Sequence, residues 1–200
     1  MGEGFLFGPL VLFAAVTTLT PGPNVVLVTA SGANFGFRRT IRQMLGITLG
    51  FGSMALAAGF GLASMVHAEP RVHAMLKYMG AAYFLYLAWR IAAADDRNAG
   101  TAARARPIGF LEAALFTWMN PKAWVSALGA LAAYSTVGGD VLLQTSVIAG
   151  VLAAFCMLSC VIWAGFGTLI GRLIAQPRAR AAFNWSMAGL LVLSLIPVLA

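Results

Sequence analysis

Six apolar runs, each long enough to cross a bilayer, leave this chain few folds to choose from. They are Phe5–Ser31, Met44–Val66, Met75–Ala94, Ile108–Tyr134, Val141–Ile170 and Ala181–Ala200. A hydrocarbon core of roughly 30 Å takes about 20 helical residues, and every backbone polar group inside it must be satisfied, so each run predicts a transmembrane helix. With 60% hydrophobic and 10% charged residues in a chain of 200, no room is left for a separate soluble domain. The expected fold is a single all-α integral membrane domain over residues 1–200.

The most polar connection, DDRNAGTAARARP at Asp95–Pro107, divides the chain into halves at 1–94 and 108–200, with three runs on each side. An odd number of spans per half makes the second half enter the membrane from the opposite face, which is an inverted-topology repeat. Basic residues set the orientation. Arg38, Arg39 and Arg42 follow the first run, Arg90, Arg97, Arg104 and Arg106 surround the central loop, and Arg172, Arg178 and Arg180 follow the fifth. Only Arg71 and Lys77 fall on the other side. Basic connections stay in the cytoplasm, so both termini are predicted to face away from it. Glu3 precedes the first run with no Lys or Arg beside it, unlike the basic start of a signal peptide, so that run is expected to stay in the protein.

This distribution also explains the net charge of +7, and no nucleic-acid partner is expected. Cys156 and Cys160 lie four apart in the fifth run, which makes them two small hydrophobes on one helical face, reduced and structural rather than a disulfide or a metal site. His67, Glu69 and His73 sit between the second and third runs. No metal cluster, phosphate loop or enzymatic nucleophile stands out, so neither a cofactor nor an enzymatic activity is expected.

Two runs are interrupted. TPGPN at Thr20–Asn24 breaks the first, and Asn120-Pro121-Lys122 breaks the fourth at the corresponding place. A proline inside a helix removes a donor and clashes with the preceding turn, at roughly 3 kcal/mol. Gly22 suits an N-cap and Pro23 the first position of a new half-helix, and Asn120 and Pro121 repeat that pattern. The arms before the breaks are roughly 22 and 18 Å long, which places both breaks near mid-membrane. Each new N-terminus aims free N–H groups and partial positive charge at that depth, suited to a carboxylate, and Lys122 adds a full charge. Matched interruptions in two halves are a pointer to a transport site.

Glu112 is the acidic residue well within a predicted span, eight residues before Asn120, and is the candidate carrier of a coupling proton. Asn24 and the tyrosines of the third run, Tyr78, Tyr83 and Tyr86, offer polar groups for the remainder of a ligand. Gly46 and Gly50, and Gly167 and Gly171, sit at helical spacing that permits close helix approach, within one copy or between two in a homodimer.

TPGPN, GFRRTIRQMLGITLG (Gly36–Gly50), KYMGAAYFLYLAW (Lys77–Trp89) and MNPKAW (Met119–Trp124), taken in order and spacing, make the chain resemble the LysE/RhtB family of amino-acid exporters over essentially its whole length. The resemblance implies a bacterial inner-membrane transporter that expels amino acids or close derivatives, driven by the proton gradient or membrane potential. It sets the family's PGP on Pro21, Gly22 and Pro23, and its NPK on Asn120, Pro121 and Lys122. A dibasic cargo asks for an acidic partner in the cavity, and only Glu112 is available, so a neutral or modestly polar amino acid is expected. Export then proceeds by alternating access as the halves rock about a shared site. The alternatives are a passive channel, a membrane scaffold, or an exporter of another solute such as a metal cation. A continuous polar stripe or a cluster of His, Asp and Cys within the spans is the mark of the first and last of these.

Overall fold

The computed structural model describes residues 7–61, 70–95, 106–136, 139–174 and 176–196, all of its regular elements helical. In chain order they are α1 (Phe7–Leu19), α2 (Pro23–Phe35), α3 (Phe37–Gly59), α4 (Pro70–Ala92) with a 3-10 turn at Ala93–Asp95, α5 (Phe110–Trp118), α6 (Pro121–Tyr134), α7 (Val141–Leu173) and α8 (Pro177–Leu193). His67, Glu69 and most of the Asp95–Pro107 connection lie outside the described residues.

Both expected breaks occur. α1 ends at Leu19 and α2 starts at Pro23 with Gly22 as its N-cap, the two axes meeting at 56°. α5 ends at Trp118 and α6 starts at Pro121 with Asn120 as its N-cap.

Several boundaries differ from the sequence reading. The first run continues to Phe35 rather than Ser31, and α3 begins at Phe37 rather than Met44, so Arg38, Arg39 and Arg42 occupy the first turns of a helix instead of a loop. Only Gly36 separates the two helices, and its φ of 80° is a conformation glycine adopts without the steric cost a side chain incurs. The arginines lie on the exposed side of α3 while Thr40 and Gln43 turn inward, so one helix accommodates both. α4 likewise begins at Pro70 rather than Met75, and α8 at Pro177 rather than Ala181, each opened by a proline whose missing N–H costs least there.

α3 and α7 are each long and apolar enough to cross a membrane alone, and the bent α1–α2 pair makes a third such span. α4 is more polar and α8 has only 17 residues. The exterior is apolar, with Leu12, Leu49, Leu111, Val125 and Trp185 more than half exposed. A surface of that kind is solvated by lipid, and the chain is a multi-pass membrane protein.

The 33-residue α7 is the central post, packed against α1, α2 and α3. Close approach rests on the expected glycines. Gly167 faces the Thr29 carbonyl and Gly171 the Ala33 carbonyl, joining α7 to α2, while Gly46 and Gly50 bring α3 against Phe110 and Ala114 of α5. These tight contacts, and the packing of α4 on α8, connect the first half of the chain to the second.

Candidate functional site

Breaking a helix inside a packed bundle strands the carbonyls of its last turn, and each one left bare away from water costs several kcal/mol. At the end of α1 these acceptors are taken one by one by side chains from the second half. Ser159 Oγ donates to the Thr18 carbonyl at 2.7 Å and Trp163 Nε1 to that of Leu19 at 3.2 Å. Lys122 Nζ donates to the Thr20 carbonyl at 2.6 Å and lies 3.4 Å from that of Pro21. At the second break, Trp124 Nε1 donates to the Trp118 carbonyl at 2.7 Å, and the Asn120 side-chain oxygen accepts from the Lys122 N–H at 3.1 Å.

The two breaks therefore meet through one side chain. Lys122 extends from the first turn of α6 to the C-terminal end of α1, where carbonyl partial charge favours a cation. The approach depends on Gly22, because a methyl group there would stand 2.7 Å from Lys122 Cδ. No carboxylate pairs with Lys122 among the described residues.

Both breaks line one cavity of about 50 Å³, which holds Gly22, Pro23 and Asn24 from one side and Asn120, Lys122 and Ala123 from the other. Thr17, Thr18 and Thr20 of α1 and its end, Val25 of α2, Phe51 of α3, Ser126 of α6 and Cys156, Ser159 and Cys160 of α7 complete the wall. On the roughly 10–15 Å³ that one water needs, the space takes a few waters or one small polar group. Asn24, which lines the cavity, keeps its side-chain Oδ1 buried and without a hydrogen-bond partner.

Of the residues singled out from sequence, Gly22, Pro23, Asn24, Asn120 and Lys122 converge on the cavity, and Pro21 contributes a carbonyl beside Lys122. Pro121 opens α6 without lining it. Tyr83 is elsewhere: its hydroxyl donates to the Glu112 carbonyl at 3.0 Å and its ring stacks on Tyr86. Glu112 is also remote from the cavity. Its Oε2 accepts from the Gly109 N–H at 2.7 Å, capping α5, and its Oε1 accepts from Arg90 at 3.2 Å and Arg106 at 3.4 Å.

Sequence reasoning missed Thr18, Ser159 and Trp163. The available signal was a serine in an otherwise apolar run with an indole four residues on, hence on the same face. Cys156 and Cys160 are free and buried, as expected, yet they belong to the cavity wall as well as to the packing.

The LysE type translocator family matches residues 15–197. The cysteine/O-acetylserine efflux protein of Escherichia coli K12 is 33% identical over 171 residues, covering 82% of this chain and 83% of that protein. The protein of the same name from Salmonella typhimurium LT2 is 34% identical over 169 residues, covering 80% and 81%. No solved structure matches. These relatives are named for efflux rather than for catalysis, and on a match covering most of its length the chain belongs to the LysE type translocator family.

Proposed function

We propose that this protein exports a small neutral amino acid or close derivative from the bacterial cytoplasm across the inner membrane, by alternating access around the cavity between its two helix breaks. The observation that carries this reading is Lys122, a cation joining both breaks at a cavity wall with no carboxylate partner among the described residues. A substrate carboxylate supplies the missing negative charge and competes for the ammonium now held by the Thr20 carbonyl, assisted by the N-termini of α2 and α6. Asn24 Oδ1, an unpaired acceptor that is buried here, suits the substrate's ammonium group once the side chain turns towards the cavity. The efflux of cysteine and O-acetylserine named for the relatives fits a cargo of this size and charge.

The six-span arrangement, with inverted halves at 1–94 and 108–200 and both termini outside the cytoplasm, belongs to this proposal. It is supported by the matched breaks before Pro23 and Pro121, one in each half, and by the arginine clusters. Energy comes from the proton gradient or the membrane potential. We assign Glu112 to holding the start of α5 rather than to carrying the coupling proton, since three donors already occupy its oxygens. Gly167 and Gly171 lock α7 to α2, and Gly46 and Gly50 lock α3 to α5. The moving bodies are therefore helix groups drawn from both halves, not two intact halves rocking.

The test is efflux from proteoliposomes loaded with a panel of labelled amino acids, with and without an imposed pH gradient, for wild type and Lys122→Ala. Saturable efflux of small neutral amino acids that disappears in Lys122→Ala, with insertion retained, is the expected result. Equal flux from both proteins would reduce the breaks to structural kinks.

A further inference from the structure

Cys156 and Cys160 are the two cysteines of the chain, both are free, and both line the cavity between the breaks. Four residues apart on α7, they share a helix face with Cβ atoms about 5–6 Å apart, within reach of a single bridging atom. Ser159 lies on that face as well, and its bond to the Thr18 carbonyl fixes α7 against the end of α1. The exposures of 7% and 4% leave the cavity as the direction from which a reagent arrives.

We propose that this pair is a dithiol site for soft thiophiles, with trivalent organoarsenicals as its ligand class, and that occupying it blocks transport. The inference rests on the cavity being the transport site. Soft sulfur donors favour thiophilic centres over hard ones, and two thiols on one face allow chelation where either alone forms only a labile adduct. The reaction balances without an oxidant: an arsenoxide R–As=O and two thiols give R–As(S–)₂ and one water, with both thiol protons leaving on the oxide oxygen. The arsenic then stands in the wall of the cavity that Lys122 also lines, and its aryl group, larger than the few waters this space of about 50 Å³ takes, obstructs it by displacing neighbouring side chains.

The experiment treats the full-length protein in proteoliposomes with phenylarsine oxide and reads both intact mass and efflux. Wild type is expected to gain one phenylarsenic group per chain and to lose efflux. A dithiol such as 2,3-dimercaptopropanol should reverse both effects and a monothiol should not, and exported substrate should slow the modification severalfold. Cys156→Ser and Cys160→Ser, each checked for monodispersity in detergent, should form no adduct that survives washing. Absence of the adduct in folded wild type, with its appearance after denaturation, would overturn the proposal. An adduct that leaves efflux intact, or that substrate does not slow, would also overturn it by placing the thiols outside the transport path. Intact mass is read independently of flux, so an adduct on a protein that moves no amino acid would keep the dithiol site while overturning the exporter reading and, with it, the block of transport.

Discussion

Gly22 and Lys122 share a space that admits only one of their side chains: a methyl group on Gly22 would lie 2.7 Å from Lys122 Cδ and 3.0 Å from its Nζ. The lysine reaches the Thr20 carbonyl because the N-cap residue of α2 has no side chain. In Gly22→Ala the clashing atoms belong to the end of a flexible side chain, so the protein should fold while the ammonium leaves its place. A hydrogen bond to a charged group contributes about 1.5–3 kcal/mol. Efflux is therefore expected to fall about tenfold or more, and the thermal midpoint in detergent to drop by a few degrees without loss of folded protein. Wild-type efflux in this variant would detach the lysine's position from transport.

The carbonyls at the end of α1 yield a second prediction. Ser159→Ala leaves the Thr18 carbonyl without its donor, and Trp163→Phe does the same to Leu19 while keeping an aromatic ring in place. An unsatisfied buried acceptor costs about 1–3 kcal/mol. Each variant should lower the unfolding midpoint measurably, and the pair together should exceed either alone. Midpoints unchanged in both would mean that water replaces the donors at this break.

The position of these breaks was legible in the sequence because proline and glycine act on the backbone of their own segment. Pro23 and Pro121 cannot continue a helix whatever surrounds them, and Asn120 caps with its own side chain. Their donors were not legible. Ser159 is 141 residues from Thr18, and bringing them together depends on how α7 is rotated about its axis. An all-round apolar helix encodes little of that rotation. For the same reason Tyr83 looked suited to the cavity from its hydroxyl alone, whereas the rotation of α4 sends it to the Glu112 carbonyl. Glycine spacing carried more information: Gly167 and Gly171 marked a face, although not the partner helix.

Glycines of α7 divide cleanly into two kinds. A methyl on Gly167 would meet the Thr29 carbonyl, a backbone atom that cannot swing aside, whereas Gly165 has nothing within 4 Å of that position. Gly167→Ala should therefore force α7 and α2 apart, with a loss of folded protein or a large drop in midpoint. Gly165→Ala should be neutral or stabilise by up to about 1 kcal/mol through helix propensity. Detergent-solubilised yield and thermal midpoint, read side by side, check the contrast. Similar behaviour of both variants would contradict the close packing of α7 on α2.

Glu112 distinguishes a structural carboxylate from a coupling one. Glu112→Gln keeps the shape of the side chain and an acceptor for the Gly109 N–H, but removes the charge that faces Arg90 and Arg106. Arg106 is 69% exposed in this pair, so water and salt screen that contact, and the half-buried Arg90 contact carries most of what is lost. The expected cost is about 1 kcal/mol of stability, diminishing as salt is raised. Transport should behave differently from stability: a residue that only anchors α5 leaves the dependence of efflux on the imposed pH gradient as it was. Efflux measured across the neutral range, at several gradients and in both proteins, reads this directly. If Glu112→Gln still exports but no longer responds to the gradient, the carboxylate carries the coupling proton despite its arginines, and the coupling path runs through the α5 N-terminus.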